Sequence, residues 1–433
     1  MKAKIQLVLL LILSSNYSYA TKTLNIQTWK TKNHIPVYFV ASPDVPIVDI
    51  AAVFHAGSAY DGKYFGLASL TNSALTTGAG KYTEENIANT LSKTAGSIGN
   101  SMSKDMGIVT LRSLTNPADL KKNLALFHAV LAQAHFPKKP FARLKAQQLQ
   151  GIKHQQQSPG AIAAKTFSQL LYGNHPYAHS SLGNNETVRA ITVKQAKQFY
   201  QQYYTADHLA LVIVGALTPK NAKKISGQLT QGLRATGKPI TIPTPIAPKQ
   251  ALSKTIRFPS QQTHILIGQL GITRNNPEYF PLIVGNFILG GGSFSSRLFD
   301  QVREKNGWVY GISSQFVRRQ QAGPFLIQLQ TRAEKSSQAK VMTLEVSQQF
   351  LKDGPTEDEV KLAKQFLMGH YPLSFSNNSA MLNNVVSLAF YHLPLNYFDT
   401  YLSHIQAVTA KKIKYAFQQQ IAGKPRVTVM VGP

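Results

Sequence analysis

Three polar residues near the start of the chain have the spacing of a zinc-binding helix. In GLASLTNSAL, residues 66–75, apolar residues recur at helical intervals and predict a helix that buries them. Ser69, Asn72 and Ser73 then share another face of that helix. Two histidines and a glutamate at this His-x-x-Glu-His spacing bind zinc and supply a general base. Two hydroxyls and an amide are poor ligands for Zn²⁺, so the spacing is that of a metal site but the residue types are not.

A second pair of chemically useful side chains, Arg303 and Tyr310, lies in SSRLFDQVREKNGWVYGISSQFV, residues 295–317. This segment predicts a helix that ends at Asn306-Gly307, a left-handed cap, followed by a strand from Trp308. On residue type alone, Arg303 is typical of a solvated surface charge, and Tyr310 of a half-buried strand aromatic.

Other candidate motifs are weaker. His175 and His179 are four residues apart, but Pro176 disfavours the helix that would align them. His55 lies near the polar helix in sequence, yet we predict no substitute metal site. No Gly-x-Ser-x-Gly segment occurs, and the glycines at 290–292 lack the Lys and Ser/Thr of a phosphate loop, so we expect them to let the chain turn tightly before a helix.

The elements that must position these residues begin after a predicted signal peptide, residues 1–20. Lys2 and Lys4 precede a short apolar run, and small residues lead to Ala20, as in an export signal. We therefore predict an exported protein, periplasmic if the source is Gram-negative and otherwise secreted. The absence of cysteine excludes disulfides, thiolate metal sites and cysteine nucleophiles.

The chain is strongly basic. Its 46 Lys and Arg against 19 Asp and Glu give a net charge of +27, or +25 once the two lysines of the signal peptide are removed. Nucleic acid is the usual partner of such a surface, but export argues against it. An anionic envelope, an acidic partner protein or acidic peptides remain, beside the simpler interpretation that the charge serves solubility.

A proline-rich linker divides the chain. Residues 238–250, KPITIPTPIAPKQ, contain four prolines and predict an extended segment between domains at 21–237 and 251–433. Each half begins with a strand, a polar loop, Tyr-Phe and an amphipathic helix, and each closes with an apolar strand. We predict a duplicated α+β unit of about 200 residues, each copy a mainly antiparallel sheet packed against helices.

Three stretches resemble the pitrilysin or insulinase-like metallopeptidase family (M16), specifically its short members related to mitochondrial processing peptidase. They are HAGSAYDGKYFGLASL, the segment from LLYGNHPYAHSSLGNN to ALVIVG, and LGGGSFSSRLFDQVREKNGWVYGISS. The resemblance covers essentially the whole mature chain. It implies half of a clamshell, two of which enclose a peptide-binding chamber.

The resemblance also implies what the polar helix replaces. Ser69 and Ser73 stand where the zinc histidines would be, and Asn72 stands where the catalytic glutamate would be. The third ligand would be a glutamate on a later helix, where Gln150 matches by spacing and Gly151 matches if the alignment slips by one. Independently, no Asp or Glu occurs from residue 120 to residue 185. We therefore expect this chain to bind no metal and no cofactor.

By the same resemblance, Arg303 and Tyr310 match a pair that faces the zinc site from the opposite domain and donates hydrogen bonds to substrate and transition state. In two-subunit bacterial members, one chain keeps this pair and its partner keeps the zinc. We expect a non-catalytic subunit that pairs with a zinc-bearing M16 paralogue, acts on unfolded peptides and forms a hetero- or homodimer. The alternatives are a structural or peptide-holding scaffold, as in the core subunits of respiratory complex III, and a basic envelope-binding protein.

Overall fold

The computed structural model describes residues 24–235 and 241–433. The predicted signal peptide, residues 1–20, and the first part of the proline-rich linker, residues 238–240, lie outside the described residues. The rest of the linker has neither helix nor strand, which agrees with an extended segment.

The first half of the chain forms a six-stranded sheet and a small two-stranded one. Its strands are β1 (Ile26–Lys30), β2 (Pro36–Ala41), β3 (Ile47–Phe54), β4 (Gly78–Ala79), β5 (Tyr82–Thr83), β6 (Ser97–Met102), β7 (Gly107–Leu114) and β8 (Leu209–Gly215). The large sheet has the order β1-β2-β8-β3-β7-β6, and β4 pairs with β5. Only β2 and β8 run parallel; the other neighbours are antiparallel.

The second half repeats this topology. Its strands are β9 (Leu252–Arg257), β10 (Gln262–Leu270), β11 (Val309–Phe316), β12 (Pro324–Arg332) and β13 (Val427–Gly432). They are ordered β11-β12-β10-β13-β9, and β9 with β13 is the parallel pair. This sheet matches the first strand for strand except that nothing corresponds to β1. The predicted duplication and the α+β class are confirmed.

Fourteen α-helices flank the two sheets in the described ranges. They are α1 (Leu67–Ala74), α2 (Glu84–Lys93), α3 (Pro117–Ala132), α4 (Lys138–Gln156), α5 (Pro159–Tyr172), α6 (Asn185–Ala190), α7 (Val193–Tyr203), α8 (Pro219–Thr230), α9 (Tyr279–Asn286), α10 (Ser336–Asp353), α11 (Glu357–His370), α12 (Asn378–Phe390), α13 (Tyr397–Gln406) and α14 (Ala410–Gln420). None of the helices described has the length and apolar character needed to cross a membrane.

The two Tyr-Phe pairs that marked the repeat are not equivalent in local structure. Tyr64 and Phe65 precede α1, whereas Tyr279 and Phe280 already form the first turn of α9. The difference follows from Gly66, which has a positive φ of 96° and starts α1 later. The pattern therefore identified the repeat correctly, although it placed the second helix start too late.

Each half lends a helix to the sheet of the other. Helix α5 packs against β10 and β13, and helix α12 packs against β3 and β8. The apolar side chains that join α12 to the first sheet are buried and include Val40, Ala51, Val53, Val212, Val214, Leu382, Val385 and Phe390. Because each core is completed by the opposite half, the two sheets are held as one unit.

Polar contacts add to this interlock. The Asp105 carboxylate, in the loop between β6 and β7, accepts hydrogen bonds from the Tyr177 hydroxyl (2.5 Å) and from the backbone N–H of Gln320 in the second half (2.9 Å). His175 donates from Nε2 to the carbonyl of Pro243 (2.7 Å), since its Nδ1 accepts from the Tyr177 N–H. The middle of the linker is thereby tied to the first half.

Candidate functional site

Helix α1 carries the predicted degenerate zinc positions. The carboxylate of Asp61 accepts hydrogen bonds from the backbone N–H groups of Gly66 (2.8 Å) and Ala68 (2.7 Å), which would otherwise be unsatisfied at the start of the helix. A Cβ at Gly66 would lie 2.5 Å from the carbonyl oxygen of Leu182, so this start requires glycine. The predicted stripe, which includes Leu67, is buried.

Of the three polar residues on α1, Asn72 is turned into the protein. Only 2% of its surface is exposed, whereas Ser69 is partly exposed and Ser73 is exposed. Asn72 Nδ2 donates to the Tyr204 hydroxyl (3.0 Å), and burial raises the pKa of Tyr204, which keeps that hydroxyl protonated. Asn72 is thus a satisfied core amide that links α1 to the residue that follows α7.

Helix α4 carries the predicted position Gln150 and a second glutamine, Gln148, that contacts the start of α1. Gln150 is exposed, whereas Gln148 is buried and donates from Nε2 to the carbonyls of Gly66 (3.0 Å) and Leu182 (2.9 Å). An ideal Cβ on Gly151 would lie 3.5 Å from Leu182, so Gly151 also faces this region. Sequence reasoning missed Gln148.

A signal for Gln148 was present in the sequence. It stands at helical spacing from Phe141 and Ile152, and all three are buried. A glutamine on the apolar stripe of a helix needs a partner inside the protein. Here the partners are the two backbone carbonyls beside the start of α1.

The histidines near α1 have structural partners. His179 Nε2 is 3.0 Å from Asp61 Oδ2, and its ring stacks on Phe65 with centroids 4.2 Å apart. Burial raises the pKa of Asp61, and the hydrogen bonds from His179 and from the start of α1 oppose that rise. His179 therefore supports the aspartate that caps the helix.

The residues present do not fit zinc. Within residues 24–235 and 241–433, no group of three or more His, Cys, Asp or Glu side chains is placed to hold a metal ion. Ser69, Ser73 and Gln150 offer neutral oxygens only, and the Asn72 amide is occupied by Tyr204. Zinc held by protein needs thiolate, imidazole or carboxylate donors. No reaction step on a metal is therefore assigned to this chain.

The second predicted pair lines an open groove in the other half. The groove, of about 830 Å³, lies between the first turns of α5 and the part of the second sheet that α5 leaves uncovered, β12 and β11. Its lining includes Ser158, His264, Phe294, Phe299, Arg303, Tyr310, Ser313, Gln328 and Gln330. None of the four degenerate zinc positions lines it, so a single chain does not bring the two predicted sites together in this groove.

Tyr310 sits on a β-bulge. Val309 pairs with Thr331 and Gly311 pairs with Gln330, so Tyr310 is an extra residue between two consecutive pairs. A bulge redirects a side chain out of the regular alternation of a strand. The tyrosine is accordingly 54% exposed and lines the groove. The prediction of a strand aromatic was correct, but the ring is more exposed than half-buried.

Arg303 lies on a π-helical turn, Phe299–Glu304, rather than on a regular α-helix. Such turns often occur at functional sites. The turn is followed by Gly307 at a φ of 62°, which agrees with the predicted left-handed end. The guanidinium lies 4.9 Å from the centre of the Phe299 ring. Neither it nor the Tyr310 hydroxyl has a hydrogen-bond or ion-pair partner among the residues described.

The glycines at 290–292 allow close packing: Gly290 and Gly291 lie in a π-helical turn, Phe287–Gly291, and Gly292 directly follows it. None of them has a positive φ. A Cβ on Gly290 would lie 2.6 Å from Ser314 Oγ, and one on Gly291 would lie 2.5 Å from Asn286 Nδ2. Asn286 and Ser314 are themselves hydrogen-bonded, Ser314 Oγ donating to Asn286 Oδ1 (2.9 Å). The glycines thus let the wall of the groove approach β11.

Comparisons with known proteins agree with this fold. The family model described as insulinase, peptidase family M16, matches residues 37–185, and the model described as the peptidase M16 inactive domain matches residues 190–367. The non-peptidase homologue YmxG of Helicobacter pylori is 25% identical over 382 residues, which are 88% of this chain and 87% of that protein.

Solved structures extend the likeness to the whole described fold. The crystal structure of the peptidase M16 inactive domain from Pseudomonas fluorescens is 36% identical, with a TM-score of 0.91, and the match covers 95% of this chain and 98% of that one. The periplasmic protease PqqL from Escherichia coli, at 16% identity, shares the fold with a TM-score of 0.80 over 95% of this chain and 46% of its own. This chain therefore belongs to the M16 peptidase family, as an inactive homologue.

Proposed function

We propose that this chain is the non-catalytic subunit of an exported two-chain zinc peptidase. It pairs with an M16 paralogue that carries His-x-x-Glu-His, completes a chamber for unfolded peptides, and supplies Arg303 and Tyr310 to the partner's active site. The zinc belongs to the partner. Nucleic acid has no role in this proposal.

One observation carries the proposal. Arg303 and Tyr310, two hydrogen-bond donors without partners among the residues described, line the same open groove. They do so in a chain whose helix α1 carries no zinc ligand. Arg303 and Tyr310 both line the groove, and both sit on local irregularities, a π-helical turn and a β-bulge, that aim them away from the sheet. Both kinds of irregularity recur at functional sites, which favours a working site over a scaffold.

The chemistry available to the pair is binding and charge stabilisation. Tyr310 can donate one hydrogen bond, and Arg303 can donate a charged fork, to peptide carbonyls or to the oxyanion that develops during hydrolysis. The partner's zinc and its glutamate would supply the nucleophilic water. We place the assembly in the periplasm if the source is Gram-negative and otherwise outside the cell, with an anionic envelope as a possible contact of the basic surface.

The test is reconstitution with the zinc-bearing M16 paralogue from the same genome. Cleavage of a quenched fluorescent peptide should be strong only when both chains are present, and a zinc chelator should abolish it. The two chains should also co-elute from a sizing column. A partner that is fully active alone, and unchanged by this chain, would contradict the proposal and favour a scaffold or an envelope-binding role. Self-association without a zinc-bearing partner would favour a homodimer.

A further inference from the structure

The charge that lines the groove is positive only. Arg303 is the only side chain in its described lining with a permanent charge, and none of the described lining residues is Asp or Glu. Burial lowers the pKa of His264, so at neutral pH this imidazole is a neutral hydrogen-bonding group and Arg303 carries the charge.

The acids nearest Arg303 in sequence do not neutralise it. Asp300 forms an ion pair with Lys305 (2.8 Å) and accepts a hydrogen bond from Gln301 (2.9 Å). Glu304 is exposed and does not line the groove. The guanidinium of Arg303 therefore faces the groove as an uncompensated cation.

The rest of the groove suits an extended peptide in which an apolar residue lies next to an acidic residue. Phe294 is 76% exposed and packs edge-on against Phe299, with ring centroids 4.9 Å apart. Phe299 in turn lies under the Arg303 guanidinium. The floor offers the amide of Gln330 and the amide oxygen of Gln328, whose Nε2 donates to Ser313 Oγ (3.2 Å), and these groups can bind a peptide backbone. The exposed Phe294 ring and the Arg303 guanidinium thus both pack on the same buried ring, Phe299.

We propose that this groove selects peptides in which an acidic residue lies next to a large apolar residue, with the carboxylate on Arg303 and the apolar side chain on Phe294. The proposal deepens the function proposed above and rests on it. A charge-assisted bond between guanidinium and carboxylate is about twice as strong as a neutral hydrogen bond. A basic peptide meets repulsion instead, from Arg303 and from a chain with a net charge of +27.

The test is fluorescence anisotropy with the chain alone and three labelled peptides of one length. The peptides share an apolar residue and carry Glu, Gln or Lys beside it. The Glu peptide should bind about tenfold more tightly than the Gln peptide, and the Lys peptide should bind most weakly. Arg303→Gln should remove the preference for Glu, so that the Glu and Gln peptides bind the variant with similar affinity.

A matched control separates the groove from the general charge of the surface. Lys121→Gln removes one exposed cation on α3, outside the groove lining, and should keep the full preference. Equal loss of preference in both variants would assign the effect to overall charge and overturn the proposal. Equal affinity for the three peptides, or binding of none of them, would also overturn it. The proposed subunit role is tested separately, by the peptidase activity of the reconstituted pair.

Discussion

His55 should make the stability of this protein depend on pH. Its ring lies against Phe390 of helix α12, with centroids 4.3 Å apart, and 6.4 Å from the ring of His208. Burial and, to a smaller extent, the neighbouring His208 and His392 lower the pKa of His55 to about 4. The three histidines meet where the two halves interlock, because His392 lies two residues beyond the end of α12 in the second half.

The sign and size of this pH dependence follow from the pKa values of His55 in the unfolded and the folded chain. An unfolded chain protonates His55 near pH 6.5, whereas the folded chain does so only near pH 4. Between these values the unfolded state binds one more proton than the folded state. The contribution of neutral His55 to the free energy of unfolding is therefore fully present above about pH 6.5 and is lost as the pH falls toward 4. At about 1.4 kcal/mol per pH unit, His55 alone accounts for about 3 kcal/mol.

The assay is urea unfolding between pH 4.5 and 7.5, for the native chain and for His55→Gln. The native chain should lose stability steeply below pH 6.5, and the variant should lose about 2.5 kcal/mol less between pH 7.5 and pH 4.5. His154→Gln, at an exposed position on α4, is the matched control and should keep the native pH dependence. Parallel curves for the native chain and His55→Gln would refute the reasoning.

Three further outcomes are expected. The chain alone should hold no stoichiometric zinc, and about one tightly held zinc in the native chain would contradict this. Ser69→His, Asn72→Glu and Ser73→His together should restore only weak zinc affinity in a chelator competition unless Gln150→Glu is added. Asn72→Ala should lower the free energy of unfolding by about 1–3 kcal/mol, because it leaves the buried Tyr204 hydroxyl without its donor; an unchanged urea midpoint would count against that role. Association with the partner should weaken from 0.05 to 0.5 M salt, roughly where screening becomes short-ranged; salt-independent affinity would leave apolar burial as the driving force.

The fold was largely predictable because its signals are local. Apolar spacing located α1, and the repeated order of strand, loop and helix revealed two copies of one topology. The left-handed end at Gly307 followed from the Asn-Gly pair alone. The exchange of α5 and α12 between the halves was not predictable in this way, because an apolar helix stripe does not say which sheet covers it.

The candidate site was only partly predictable, for a related reason. Residue type and spacing identified Arg303 and Tyr310, but the bulge at Tyr310 depends on its pairing with β12. Spacing selected Gln150 but did not reveal Gln148, which donates a hydrogen bond to the carbonyl of Gly66 beside α1. Asn72 was grouped with two hydroxyls on one helix face, and only the approach of Tyr204 shows that it belongs to the core. In each case the missing information was a tertiary contact.

The most direct test of the account is steady-state kinetics of Tyr310→Phe in the reconstituted pair. The change removes one hydroxyl donor from the groove and keeps the ring, so the melting temperature should stay nearly constant. Tyr415→Phe, at a tyrosine of similar exposure on α14, is the matched control. If Tyr310 meets the developing oxyanion, kcat should fall by about 10² to 10³ while KM changes little. Arg303→Ala removes the cation that binds a substrate carboxylate, so it should raise KM for peptides that carry an acidic residue. Full activity in both variants would contradict the central claim and reduce this chain to a wall of the chamber.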